Sequence, residues 1–343
     1  MDRENNASTR LAALTVATLC GLLLSIPGAA QQGGGRGAPP APKPDNPQSL
    51  AHIDAAKKIA GNDAWLQTPY AFYCVAGGAR ANNASAPELE PVRIFDNLYA
   101  VGNSEAVVYA LTTSQGLILI DSGYSDRVET VVVAGLKQLG LNPADVKYVL
   151  LGHGHADHFG GAQYFQDRSG ARIGTTAADW DLIQPPTPPA NAAAGTQSRP
   201  KRDLVLAEGQ PVTLGDTTVT LVSIPGHTPG SLAFIFRVRD GRQTHTAGLF
   251  GGTILTVDRI TTPGLKQYVQ SIDHYLDVAK RMNVDTEVQN HPIFDRTPER
   301  LASLKTRSGR GAHPFVVGTD RYAKFWSVIS ECIQAEIARR GTE

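Results

Sequence analysis

The sequence predicts an α/β protein in which two β-sheets pack face to face, with helices outside, as one domain. Three observations carry this reading. From about residue 92 the apolar periodicity runs strands, helices, strands, helices, with no short internal repeat. The composition, 41% hydrophobic and 19% charged over 343 residues, is that of an ordinary globular chain with ample length for a core. Three histidines and an aspartate crowd the end of one short apolar strand, where ligand sites tend to sit.

The chain begins with Arg3 and Arg10, then an apolar run from Leu11 to Ile26, then Pro27, Gly28, Ala29 and Ala30. That order is a secretory signal, residues 1–30, cut after Ala30. The run is short for a membrane span, and Pro27 followed by small residues favours release over retention as an anchor. Leu19 stands where lipid attachment at Cys20 would need a small residue. Residues 31–49 are rich in Gly and Pro and form a flexible linker. A single folded domain, 50–343, follows. The expected location is periplasmic or secreted, with no stable membrane association after cleavage. Two cysteines remain, Cys74 and Cys332, and the sequence admits either a disulfide or two buried thiols. The formal net charge is zero and no Lys/Arg cluster could track phosphates. The expected partner is a small-molecule substrate, not nucleic acid.

A short amphipathic helix fits residues 50–59. Trp65, Tyr70, Phe72 and Tyr73 follow without a clear period and read as core contacts, with a substrate wall as the lesser option. Residues 92–95, 98–102, 105–112 and 116–120 read as strands, being rich in β-branched and aliphatic residues and broken by Asn and Gly. Val128, Val131, Val132, Leu136 and Leu139 recur at helical spacing before Gly140. A strand at 147–151 leads into the histidines. A helix at 159–168, a strand at 171–174 and a helix at 177–183 come next, then a loop at 185–200. Strands resume at 203–206, 211–214, 217–224, 231–238 and 243–249. Leu265, Tyr268, Ile272, Tyr275 and Ala279 mark a long helix, a strand near 286–289 follows, and the last helix covers about 320–339.

The candidate site is GHGHADH, residues 152–158. In an extended segment alternate side chains share a side, so His153 and His155 can reach one ion together. Gly152 and Gly154 let the backbone bend around it. The chain must then turn, which points Asp157 and His158 at a second position. Imidazole suits zinc, and a carboxylate fits the same set of donors. Asp157 also reads as a helix N-cap, a role compatible with that position. His227, in IPGHTPGS, and His291, in QNHPIF, each follow a strand and join the set. His52, His245, His274 and His313 lack such a setting and read as structural or exposed.

These residues resemble the metallo-β-lactamase superfamily, through LILIDSG (117–123), GHGHADH (152–158), GHTPGS (226–231) and His291, in order over roughly 92–295. Within it the chain is most similar to the third subclass of zinc β-lactamases. The resemblance implies an αββα sandwich of two mixed sheets. It implies two zinc ions per chain, one on His153, His155 and His227 and one on Asp157, His158 and His291. Asp121 would orient the histidine loop from behind. Two zinc ions about 3.5–4 Å apart share one water and lower its pKa towards about 7. The implied reaction is opening of a β-lactam amide by a metal-bound hydroxide, with Asp157 orienting the nucleophile. Two departures stand out. LFGGTIL (249–255) has no acid where many lactonases and thioester hydrolases of the superfamily carry a bridging aspartate. Gly252 replaces a serine that third-subclass enzymes place near the second metal. The competing readings are a periplasmic hydrolase of a lactone, ester or other small amide, an iron-bearing redox variant, and a secreted metal-binding protein with little turnover.

Overall fold

The computed structural model describes residues 43–78, 86–185, 198–255, 257, 260–308 and 311–341. The signal, the linker up to residue 42 and most of the loop at 185–200 lie outside the described residues. Helix α1 spans Pro47–Ala60, so residues 47–49 are its first turn and not the end of a linker. The reason is local. The Asn46 side chain accepts the Ser49 N–H at 2.8 Å, and the Ser49 hydroxyl accepts the Asn46 N–H at 2.9 Å. Pro47 at the first helical position has no N–H to satisfy, so here proline starts a helix. A short turn α2, Gln67–Pro69, continues into a π-helix, Tyr70–Val75.

The first sheet contains seven strands in the order β1-β2-β3-β4-β5-β6-β7. These are β1 Val92–Phe95, β2 Leu98–Gly102, β3 Val107–Thr113, β4 Gly116–Ile120, β5 Val146–Leu150, β6 Arg172–Thr175 and β7 Leu204–Val205. Pairing is antiparallel from β1 to β4 and parallel from β4 to β7. The crossovers that parallel pairing demands are helical. A π-helical stretch Val128–Val133 and α3 Ala134–Gln138 link β4 to β5, and α4 Ala156–Phe159 and α5 Ala162–Ser169 link β5 to β6. Helix α6, Ala177–Ile183, follows β6.

The second sheet has five strands in the order β12-β11-β10-β9-β8. They are β8 Val212–Leu214, β9 Thr217–Ser223, β10 Leu232–Asp240, β11 Gln243–Phe250 and β12 Thr286–Glu287. Three further helices complete the order: α7 Thr262–Arg281, α8 Thr297–Thr306 and α9 Thr319–Arg340. The sequence reading leaves α8 out. Its buried residues are Thr297, Arg300 and Leu301, so its inner face is largely polar and carries no apolar stripe.

Side-chain alternation sorts the core into three layers. Tyr109 and Leu111 of β3, Ile118 and Ile120 of β4, and Leu232, Phe234 and Phe236 of β10 fill the space between the sheets. Val108, Ala110 and Leu119 face the opposite way, onto Val132, Leu136, Phe165 and Trp180. Ala233 and Ile235 of β10 face Tyr268, Tyr275, Phe325 and Trp326 of α7 and α9. The fold is the αββα sandwich. The aromatic segment is core: Trp65 stacks on Phe325 with ring centroids 4.5 Å apart, and Phe72 and Tyr73 are buried.

The described ends meet. The Asn46 amide donates to the Ala338 carbonyl at 2.8 Å, and Arg339 pairs with Asp45. Cys74 and Cys332 form a disulfide across 258 residues, so they are not two free thiols. A bridge over so long a loop is typically worth about 2–4 kcal/mol. Cys332→Ser, or reductant, is therefore expected to lower the melting temperature by roughly 5–15 °C, read by calorimetry on reduced and oxidised protein.

Candidate metal centre

Strand ends of both sheets converge on one edge of the sandwich. Asp121 follows β4, His153 follows β5, His227 follows β9 and His291 follows β12. The two sheets meet there in the backbone: Leu232 N–H of the second sheet donates to the Gly152 carbonyl of the first at 2.8 Å, while within the second sheet Gly251 N–H donates to the Leu232 carbonyl at 3.0 Å. A Cβ on Gly251 would lie 2.2 Å from that carbonyl and 2.7 Å from Gly152 Cα, so only glycine permits the approach.

Every side chain the sequence singles out arrives at this edge. His227 Nε2 lies 3.0 Å from His153 Nε2 and 3.0 Å from His155 Nδ1. His158 Nε2 lies 3.0 Å from His291 Nε2 and 3.3 Å from Asp157 Oδ2, and His291 Nε2 is 3.8 Å from the same oxygen. His153, Asp157, His158 and His291 are all buried. Asp157 sits inside the first turn of α4, whose N-cap position is His155, so the capping role does not hold.

The outer ring nitrogens fix the tautomers. A carbonyl can only accept, so His153 donates Nδ1–H to Gly251 O at 2.5 Å, and His291 donates Nδ1–H to Glu105 O at 2.5 Å. Nε2 of each is then left with its lone pair facing inward. A single N–H on His227 can point at only one of its two neighbours. A cation at the centre would take all three lone pairs, and imidazole nitrogens 3.0 Å apart suit one held between them. Five imidazoles, one carboxylate and no thiolate form a donor set that fits zinc.

Charge follows from burial and neighbours. Burial holds the His153 and His227 pKa values well below the ordinary value, so these rings are neutral. Burial lowers His291 to about 4. Burial opposes charge on His158 too, but Asp157 and Asp121 flank the ring and raise it to about 10. A cation binding there displaces a proton. Burial would raise Asp157, but His158 beside it overrides this and holds the carboxyl below its usual range.

Asp121 stands behind the ligands. Its Oδ1 accepts the Gly152 N–H at 2.8 Å, and its Oδ2 accepts His158 Nδ1–H at 2.7 Å. Its φ of 63° is in the left-handed region, a conformation that costs a non-glycine residue and is retained here at the site. Sequence reasoning misses its neighbour. Asn290 donates to Asp121 Oδ2 at 3.0 Å and to Gly251 O at 3.1 Å, tying both halves of the centre together. Its only sequence signal is adjacency to His291. The four other histidines go elsewhere: His52 to Glu331, His245 to Asp285, His274 to Glu208 and His313 to the Ile94 carbonyl.

In the 249–255 segment Thr253 donates its hydroxyl to Gln289 Oε1 at 3.1 Å. Gly252 is packed against a ligand, since a Cβ there would lie 2.7 Å from His227 Cβ and 3.0 Å from Ser231 Oγ.

The comparisons fit this geometry. Residues 101–240 match the sequence profile of the metallo-β-lactamase superfamily. A hydroxyacylglutathione hydrolase of Cereibacter sphaeroides (strain ATCC 17025) is 36% identical over 88 residues, which is 26% of this chain and 28% of that protein. One of Pseudomonas putida (strain W619) is 31% identical over 215 residues, 62% of each chain. The chain thus spans about a quarter to under two-thirds of these relatives. Among solved structures, a subclass B3 metallo-β-lactamase of Bradyrhizobium japonicum superposes with TM-score 0.59 at 29% identity, covering 72% of this chain and 92% of that one. The Legionella gormanii metallo-β-lactamase superposes at TM-score 0.62 and 24% identity, covering 75% and 98%, a likeness of fold.

Gly252→Ser is expected to push the His227 side chain aside and destabilise the fold by about 1–3 kcal/mol, measured as a lower midpoint in chemical denaturation.

Proposed function

We propose that this chain, whose residues 101–240 match the metallo-β-lactamase superfamily, is a two-zinc hydrolase that opens the amide bond of β-lactam rings. The observation that supports it most directly is the donor set. His153, His155 and His227 lie close enough to share one ion, as do His153, Asp157 and His158, and His291 stands 3.0 Å from His158 and 3.8 Å from Asp157, which supports a second group of Asp157, His158 and His291. Neither a thiolate nor an acid from 249–255 enters.

When bound, the ion pair supplies Lewis acidity, making water acidic enough to attack near neutral pH and drawing charge from a carbonyl. The chain does the rest. Gly251 O, Glu105 O and Asp121 hold three rings with their inner nitrogens aimed at the centre. Asp157, kept ionised, presents its carboxylate to the same centre as His158 and His291, where it would help hold the ion and orient the attacking water. Both sheets exclude solvent from behind, since the residues behind the ligands are buried. No serine or cysteine nucleophile is required.

The sequence of the first thirty residues and the Cys74–Cys332 bond both favour an exported protein, because disulfides persist in oxidising compartments. Among the described residues no helix is long and apolar enough to cross a membrane.

One observation favours a second substrate. The curated relatives are named hydroxyacylglutathione hydrolases, so cleavage of a hydroxyacylglutathione, or of another small ester or lactone, is the alternative. The missing acid in LFGGTIL weighs against it.

The purified chain is expected to bind two equivalents of zinc, to hydrolyse nitrocefin, to stop on chelation and to recover when zinc is restored. Asp157→Asn should lower kcat by about 100-fold or more. Intact penicillins, cephalosporins and carbapenems after long incubation, with rapid turnover of a hydroxyacylglutathione, would select the alternative.

A further inference from the structure

Asp121 is not the only carboxylate behind the ligands. Asp179, in the first turn of α6, is fully buried. Its Oδ2 accepts the Gly154 N–H at 2.7 Å and the Thr228 hydroxyl at 2.7 Å, and its Oδ1 accepts the Gly230 N–H at 2.9 Å. Gly154 is the residue between His153 and His155, and Thr228 directly follows His227. One carboxylate therefore bridges the two loops that carry the first three imidazoles. Its hydrogen bonds go to neither α4 nor the segment around His291. Asp121 has the other distribution: apart from the Gly152 N–H, its partners are the His158 ring and Asn290.

The approach is built, not incidental. A Cβ on Gly230 would lie 1.9 Å from Thr176 Oγ1 and 2.7 Å from Asp179 Oδ1, so the turn comes close to the carboxylate only because residue 230 is glycine. Thr228 is locked in turn by Ser231, whose Oγ accepts its N–H at 3.1 Å and lies 2.7 Å from its hydroxyl. Electrostatics point the same way. The first group consists of three neutral imidazoles and brings no negative charge of its own to a divalent cation. The second has Asp157, with Asp121 behind it. A buried carboxylate one peptide away from the first group supplies the missing countercharge.

We propose that Asp179 is the positioning residue of the His153, His155 and His227 group, fixing the spacing of its two loops separately from the Asp121-held group. This rests on reading the six side chains as metal ligands. A purely structural carboxylate would lower stability and weaken both groups alike. A positioning one weakens the first alone.

The test uses the metal-free full chain and zinc titrated against a chromophoric chelator, in two backgrounds. Asp157→Ala with His158→Ala and His291→Ala keeps only the first group, and His153→Ala with His155→Ala and His227→Ala keeps only the second. Asp179→Asn is expected to weaken zinc by about 10–100-fold in the first background and by less than about twofold in the second. Thr228→Val should give a smaller loss in the first background, which Thr228→Ser restores. This pair keeps the proposal open to refutation if Asp179→Asn does not fold. Equal losses in both backgrounds, or none in the first, overturn it. An unsubstituted chain that binds two equivalents while Asp179→Asn changes nothing refutes this proposal alone. An unsubstituted chain that binds none refutes the ligand reading and takes the proposal with it.

Discussion

Buried imidazoles keep one nitrogen facing a shared centre when the outer nitrogen has something fixed to hold, as it does on His153, His158 and His291. A free imidazole in a buried pocket would turn to satisfy its N–H, because an unmade hydrogen bond inside a protein costs about 1–3 kcal/mol. Here the acceptors are parts of the frame: the Gly251 carbonyl at the end of β11, the Glu105 carbonyl before β3 and the Asp121 carboxylate after β4. The rings are oriented by strand ends and not by loops that could drift. Any metal held there would depend on that orientation, since a ring turned over would present a proton where a lone pair is needed.

The frame itself depends on the two sheets reaching one edge together. Three rings and Asp157 come from the segment after the first sheet's β5, which runs into α4, and two rings from loops after strands of the second. The sheets are joined at that edge by the backbone hydrogen bond from Leu232 to Gly152 and by the close approach of Gly251 to Gly152. Asn290 reinforces the seam by bonding Asp121 from the first sheet and Gly251 from the second. The apolar layer between the sheets, with Tyr109, Phe234 and Phe236, sets their separation, and the seam sets their register.

Legibility in the sequence follows the physics of each part. Strands with clean alternation, such as β3 and β10, are read from periodicity because burial on a pleated surface imposes it. The ligands are read because HxHxDH at a strand end gathers more metal-binding side chains into six residues than folding alone requires, and the resemblance supplied the grouping. What escaped has no periodic or compositional trace. Helix α8 hides because its inward face is Arg300, which sits between Glu287 and Asp295 at 2.8 Å from each. The break between α4 and α5 hides because Gly160 and Gly161 are dictated by the 122–125 backbone lying against them. Asn290 and Asp179 are single polar residues whose partners are distant in sequence, so nothing nearby marks them. Pro47 misleads for the opposite reason, since the same residue marks linkers and helix starts.

The meeting of the chain's described ends bears on how the molecule comes apart. Terminal turns are ordinarily the cheapest part of a protein to open, each peeling off by itself. Here the first turn of α1 is hydrogen-bonded to the last turn of α9, and Arg339 spans the junction to Asp45. Neither end can peel without lifting the other. Opening at this junction is thus one concerted event over the two helices that it joins.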